Sequence, residues 1–307
     1  MKSSSDFIVI GFALFAMFFG AGNLIFPPYL GHLVGDQALI GIIGFLITGV
    51  GLPLSGIIAC AKCNGTFSEI SSRVGKIFSL VATSALVIAI GPMLAVPRTA
   101  ATTFELGVHP VFPSVSPVIS SIVYFGIVLF FVLRPSAIVD NIGKILTPAL
   151  LVMLSVIIIK GIVNPIGTIT PTDFQGTFSK SLLEGYQTMD VMASVMFASI
   201  ILASIRSKGY EESEVTKVTV KSAVVAVGGL AFIYGGLLYL GAQTTTMFPK
   251  DVARTELLTE IVRLDLGSIG SVILGIAVGL ACLTTAIGLI STGAEFFSEK
   301  IFNKKIS

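Results

Sequence analysis

Phe18-Phe19-Gly20-Ala21-Gly22-Asn23-Leu24-Ile25-Phe26-Pro27-Pro28 lies within an apolar run from about Phe7 to Leu30. Roughly 20 such residues span a bilayer as a helix. In a helix interior Gly costs about 1 kcal/mol and Pro about 3 kcal/mol, and this helix holds Gly20, Gly22, Pro27 and Pro28. The stretch therefore predicts an unwound segment near Gly20 to Asn23. Such backbone is tolerated at membrane depth only where it lines a cavity or is buried in protein. The alternative is a small-residue face for close helix packing, with Asn23 hydrogen-bonded to a neighbour.

The rest of the chain is of the same kind. Of 307 residues, 54% are hydrophobic and 12% charged, and the mean hydropathy is +0.96. A soluble domain carries about 25% charged residues. These figures exclude a soluble globular domain, a disordered chain and a coiled coil. A net charge of +2 leaves no basic surplus for nucleic acid. The expected fold class is an all-α integral membrane protein. The first run is too long for the hydrophobic core of a signal peptide. Apolar runs at about 7–30, 38–60, 78–103, 118–134, 144–163, 183–205, 222–243 and 268–297 predict about eight transmembrane helices.

With the N-terminus inside, thirteen of the nineteen Lys and Arg fall on the inner side. They are Lys2, Lys62, Arg73, Lys76, Arg134, Lys144, Arg206, Lys208, Lys217, Lys221, Lys300, Lys304 and Lys305. The other six are Arg98, Lys160, Lys180, Lys250, Arg254 and Arg263. The positive-inside rule then puts both termini in the cytoplasm, and an even number of spans agrees.

Other spans are interrupted too. The third carries Gly91-Pro92, which predicts a kink, and then Pro97-Arg98-Thr99. Arg98 either snorkels to the outer interface, which is the favoured reading, or holds a substrate carboxylate or an acidic partner. The sixth opens Glu184-Gly185-Tyr186-Gln187-Thr188-Met189-Asp190. Asp190 inside an apolar run is a candidate functional group; the alternative is Thr188 or Asp190 as an N-cap. In the eighth, Ala281, Thr284 and Thr285 share one helix face. Two hydroxyls and a carbonyl there suit a hard cation, or the hydroxyls bond back to their own helix or glue helices together. Two broken helices, one in each half, point to a transporter site. Cys60 and Cys63 read as two small helix residues one turn apart rather than a redox pair. His32 and His109 are expected in separate outer segments, and no nucleophile–base pair or metal cluster stands out, so no enzyme and no cofactor is expected.

The string from Gly20 to Pro28 resembles the first-helix signature of the bacterial branched-chain amino acid:cation symporters (LIV-II carrier type). Gly91-Pro92-Met93-Leu94-Ala95-Val96-Pro97-Arg98-Thr99-Ala100, Gly185-Tyr186-Gln187-Thr188-Met189-Asp190 and Cys282-Leu283-Thr284-Thr285-Ala286-Ile287-Gly288, closed by Ala294-Glu295-Phe296-Phe297, are similar in turn. The resemblance implies a bacterial inner-membrane carrier that moves leucine, isoleucine and valine with a cation, usually sodium. The first helix also resembles, more distantly, that of LeuT-type sodium symporters. That likeness implies an inverted repeat with broken helices 1 and 6. Carried over by position, it implies a sodium site of the Ala16, Phe19 and Ala281 carbonyls and the Thr284 and Thr285 hydroxyls. Ala21, Gly22 and Asn23 would then meet the substrate carboxylate, with Thr188 and Met189 meeting substrate from helix 6. Phe18, Met189 and Met192 are candidates for its apolar side chain. Arg98 and Asp190 are candidates for coupling or gating, and Asp190 or Glu295 would carry a proton were that the coupling ion.

Residues 1–307 form a single membrane domain on this reading. Residues 7–163 are a first five-helix repeat, 183–297 the first three helices of a second, and 298–307 a cytoplasmic tail. The resemblance implies about twelve spans, and a five-plus-five repeat needs at least ten. The expectation is thus a C-terminally truncated carrier, a non-transporting remnant, or half of a split carrier with a companion chain.

Overall fold

The computed structural model describes residues 5–300, apart from Asn64, 134–143 and Ile145. Arg134, Lys2 and most of the expected tail lie outside the described residues. Every regular element among the described residues is helical. The first apolar run forms α1 (Asp6–Phe18) and α2 (Ala21–Val34), parted at Phe19–Gly20. The break is thus shorter and earlier than the expected Gly20–Asn23. The reason is local: the Gly20 N–H donates to Asn23 Oδ1 at 3.2 Å. Asn23 therefore satisfies a helix start instead of interrupting a helix. Pro27 and Pro28 sit inside α2, costing it two backbone hydrogen bonds without ending it.

A single turn at Gly35–Gln37 leads into α3 (Ala38–Leu46), which runs through a wide π-helical turn into α4 (Leu52–Lys62). The short α5 (Phe67–Ser72) precedes α6 (Lys76–Ile88). A second π-helical stretch at Ala89–Ala95 holds Gly91-Pro92 and joins α7 (Val96–Thr103). The i→i+5 pattern there accommodates the donor that Pro92 lacks, so the irregularity expected at Gly91-Pro92 takes the form of a π-helical stretch. Then follow α8 (Pro117–Val132), α9 (Thr147–Val163), α10 (Thr177–Tyr186), α11 (Asp190–Ser207), α12 (Glu212–Ala242), α13 (Arg254–Leu266) and α14 (Ser268–Lys300). Several elements depart from the expected spans: α5 falls between the second and third of them, α10 starts before the sixth, α12 starts before the seventh, and the polar α13 falls between the seventh and the eighth.

Among the described residues, five helical stretches are long and apolar enough to cross a membrane: 21–62, 76–108, 177–207, 212–242 and 268–298. Three shorter apolar helices, α1, α8 and α9, accompany them. Polarity is inverted relative to a soluble protein. Ile119, Ile122, Val123 and Phe130 of α8 and Leu39, Ile40 and Ile43 of α3 are exposed, whereas Asn23, Glu184, Asp190, Gln243, Thr284 and Thr285 are buried. An apolar exterior of this extent marks a surface that does not face water.

The long α12 runs beside α1 and α2, α10 packs on α3, α11 on α4, and α14 on α7. The α2–α12 contact is backbone to backbone. A Cβ at Gly31 would collide with the Leu238 carbonyl oxygen, and one at Gly241 with that of Pro28. His32 is buried near the end of α2, with Nδ1 3.0 Å from Thr244 Oγ1 and Nε2 3.2 Å from the Pro249 carbonyl. Cys60 is buried, Cys63 is exposed, and both are free thiols.

Helix α13 carries one costly group. Asp265 is buried at 4% exposure, neither oxygen has a hydrogen-bond partner among the described residues, and Lys160 Nζ stands 4.0 Å away. Burial raises the Asp265 carboxyl above its ordinary value, and Lys160 only partly opposes this. The folded state then binds the proton more tightly than the unfolded one. Stability contributed at Asp265 is present at acid pH and lost as pH rises from the ordinary carboxylate range through the raised value. Asp265→Asn is expected to melt higher than the parent at pH 7.5 and to lose that advantage at pH 4.5. Melting curves of detergent-solubilised protein at both pH values test this; an equal or lower melting temperature at pH 7.5 refutes it.

Candidate functional site

Two helix breaks face each other. The first is Phe19–Gly20, between α1 and α2. The second is Gln187–Met189, between α10 and α11, where Met189 adopts φ +68°. That left-handed conformation is rare for a residue with a side chain. The turn is held locally: Thr188 Oγ1 donates to the Gly185 carbonyl at 2.8 Å and accepts from the Asp190 N–H at 3.4 Å. Thr188 and Asp190 flank the helix start, while Met189 occupies the cap position itself.

Asn23 ties the two breaks together. Its Oδ1 accepts from Gly20, and its Nδ2 donates to Asp190 Oδ2 at 2.6 Å and to the Tyr234 hydroxyl on α12. All three residues are buried. The amide's two hydrogens are thereby committed, one to each of two other elements. Tyr234 continues into an aromatic column with Phe19, 5.8 Å away, and Phe45, 5.2 Å away. Sequence reasoning missed Tyr234, because nothing in a tyrosine within an apolar helix marks which face it occupies.

Arg98 does not snorkel. From α7 it reaches the second break, donating Nη2 to the Thr188 carbonyl at 3.1 Å and Nη1 to the Gln187 carbonyl at 3.4 Å. A cation at the carbonyl end of α10 complements both the unpaired acceptors and the helix dipole. Residues 187–188 leave those carbonyls without helical donors, and that is the physical reason the guanidinium turns inward.

Between the breaks lies a cavity of about 20 Å³, lined by residues that include Phe18, Ala21, Asn23, Arg98, Met189 and Asp190. That is room for roughly one water. Ala21 and Asp190 each open a helix, so α2 and α11 both turn their N-terminal ends to this space. Met192 is half-buried and outside the lining, and Glu295 is near Ser199, its Oε2 3.4 Å from Ser199 Oγ, away from the cavity.

Beside the first break, α14 brings its hydroxyls onto α1. Thr284 Oγ1 donates to the Ala16 carbonyl at 2.8 Å and approaches the Ala281 carbonyl at 3.0 Å. Thr285 Oγ1 is 3.0 Å from the Met17 carbonyl and 3.5 Å from that of Ala16. A Cβ at Gly20 would stand 2.9 Å from Thr285 Oγ1, so glycine lets the two elements meet. Ala16, Ala281, Thr284 and Thr285 are brought together, and Met17 joins them. Phe19 contributes a ring stack with Phe15 at 5.4 Å, and the Thr284 and Thr285 hydroxyls bond to carbonyls other than its own. The oxygens are uncharged and hard, a donor set that fits a monovalent cation better than a divalent one. Among the described residues no cluster of His, Cys, Asp or Glu could hold a metal ion.

Residues 3–307 match the family model described as branched-chain amino acid transport protein. The chain belongs to this family. It is 39% identical over 304 residues to the branched-chain amino acid permease BraB of Bacillus subtilis, covering 96% of this chain and 68% of that protein. It is 38% identical over 300 residues to a branched-chain amino acid transport system 2 carrier protein of Pseudomonas aeruginosa, covering 96% and 69%. It is 38% identical over 317 residues to the Bacillus subtilis permease BrnQ, covering 99% and 72%. These relatives are permeases and carriers, not enzymes. Membership together with the several long apolar helices makes this family member a multi-pass membrane protein.

Proposed function

We propose that the chain carries leucine, isoleucine and valine across the bacterial inner membrane by alternating access at the cavity between the two breaks, with sodium as the coupling ion. The observation that carries this is the convergence of both helix breaks on one buried cavity, with the oxygens of Thr284, Thr285, Ala16 and Ala281 beside it. The N-terminal ends of α2, at Ala21 and Gly22, and of α11 offer N–H groups and positive dipole ends to a substrate carboxylate. Asn23, Thr188 and Met189 complete the proposed substrate site, and Phe18 and Met189 would meet its aliphatic side chain. At about 20 Å³ the cavity admits no leucine without movement of its walls, which accords with a site that opens to one face at a time. For the cation, each hydroxyl would turn its oxygen from a carbonyl towards the ion.

The wider architecture belongs to the same proposal. It has eight crossings, with residues 7–163 as one LeuT-like repeat and 183–297 as the beginning of its inverted partner, and both termini in the cytoplasm. Charged side chains are paired on both of the proposed faces. Lys160, Lys180, Arg254 and Arg263 pair with Asp265, Glu184, Glu184 and Glu260 among the segments expected outside. Arg206 and Lys208 pair with Glu212 and Asp6 among those expected inside.

The test is leucine uptake into proteoliposomes with and without an inward sodium gradient, beside a Thr284→Ala, Thr285→Ala double variant. Uptake is expected to require sodium. In the double variant, half-saturation should need about tenfold or more sodium, since two of the proposed ligands are lost. Uptake indifferent to both sodium and the double substitution refutes the cation site. A second reading has its own observation: Asp190 is a buried carboxyl on the cavity wall bonded to Asn23. A proton would then be the coupling ion. In that case a pH gradient drives uptake without sodium, and Asp190→Asn abolishes driven uptake while sparing leucine exchange.

A further inference from the structure

We propose that Arg254 and Glu184 are the latch of the gate on the α13 face of the cavity; this rests on the transport reading of that cavity. Glu184 lies on α10, three residues before the second break, and its side chain is wholly buried. Its Oε1 takes both Lys180 Nζ at 2.9 Å and Arg254 Nη2 at 3.0 Å, while Oε2 has no partner among the described residues. Arg254 begins α13, which lines no part of the cavity.

The same guanidinium covers helix α2. Its carbon stands 4.6 Å from the centre of the Phe26 ring and 4.8 Å from that of Tyr29. Arg98, on the cavity wall, stands 5.8 Å from the centre of the same Phe26 ring. Phe26 is therefore within reach of two guanidiniums, one on the cavity wall and one on an element that does not line it. On this proposal a substrate leaving past Arg98 would pass Phe26 and Arg254. One side chain so joins the three elements that must part on this face: α2 through stacking, α10 through the ion pair, and α13 through its own backbone.

The strength of the contact suits a latch. A buried carboxyl stripped of one partner is strongly destabilised, so the pair biases the gate shut. Arg254 engages through a single nitrogen rather than the bidentate fork, and it is partly exposed, so water can take its place. Planar stacking on Phe26 and Tyr29 needs arginine, whereas the ion pair alone needs only a cation.

The experiment uses a reporter cysteine, Ala95→Cys on the cavity wall, in full-length protein whose Cys60, Cys63 and Cys282 are replaced by alanine. A charged, membrane-impermeant methanethiosulfonate reagent is applied to either face without leucine. Arg254→Ala and Glu184→Gln are each expected to raise the labelling rate from the α13 face about tenfold or more, because the open population grows as the latch is lost. Labelling from the opposite face stays as in the parent. Arg254→Lys, which keeps the ion pair, is expected to return most of the way to the parent rate. Unchanged labelling from the α13 face, or an equal rise from both faces, overturns the proposal. If Arg254→Ala fails to fold, Glu184→Gln, which preserves shape, carries the same test. Labelling needs neither leucine nor a gradient. An absence of uptake would therefore count against the transport reading alone and leave the latch measurable.

Discussion

Asn23→Ala is expected to lower the rate of leucine uptake at least about a hundredfold, the product of losing one hydrogen bond to a carboxyl, worth about 1.5–3 kcal/mol, and two more of about 1 kcal/mol each. The residue connects three elements at once: the α2 start through Gly20, the α11 start through Asp190, and α12 through Tyr234. Truncation leaves buried Asp190 and Tyr234 without their shared donor, and both breaks lose the bond that joins them. Proteoliposome uptake at saturating leucine measures the effect, with the amount of folded protein determined by gel filtration. Asn23→Asp is expected to be nearly as damaging, because it removes the donor and puts a second carboxyl beside Asp190. Uptake by Asn23→Ala within about threefold of the parent would refute the bridging role.

Gly31→Val is expected to abolish the folded protein, with a loss beyond about 4 kcal/mol of the kind that overpacking against rigid backbone produces. The obstacle is the Leu238 carbonyl of α12, not a flexible side chain. On the facing helix, Gly241 is closed off in the same way by the Pro28 carbonyl. Relief requires α2 to move away from α12, which also draws Asn23 away from Tyr234. Gly228, also on α12, has open space where a Cβ would stand and is the control: Gly228→Ala should leave the protein intact. Detergent melting and the recovery of monodisperse protein report both. A Gly31→Val protein that melts within a few degrees of the parent would show that the α2–α12 contact is yielding.

The two predictions concern residues that differ in how far they can be read from the chain. Gly20, Asn23 and the proline pair are legible, because helix energetics alone makes such a cluster costly inside an apolar run. Thr284 and Thr285 are legible as a shared helix face, from periodicity. That they lie against the carbonyls of Ala16 and Met17 is a matter of packing between α14 and α1, 268 residues apart along the chain. Arg98 shows the limit of local reasoning most clearly. A cation near the end of an apolar run is expected to reach for water. Here the frayed carbonyls of residues 187 and 188 offer a nearer acceptor, which only the folded arrangement supplies.

Composition, hydrophobic run length and the positions of Gly and Pro by themselves determined that this chain is helical, apolar on its outside and broken in two of its helices. These depend on short-range terms: transfer of side chains, backbone propensity and the cost of an unpaired donor. Tertiary structure alone decided which groups meet across those breaks: Asn23 with Asp190 and Tyr234, Arg98 with the α10 carbonyls, and Arg254 with Glu184 and Phe26. The physical reason is that a buried polar group takes whichever partner the packing brings within about 3 Å, and distance through space is not written in distance along the chain.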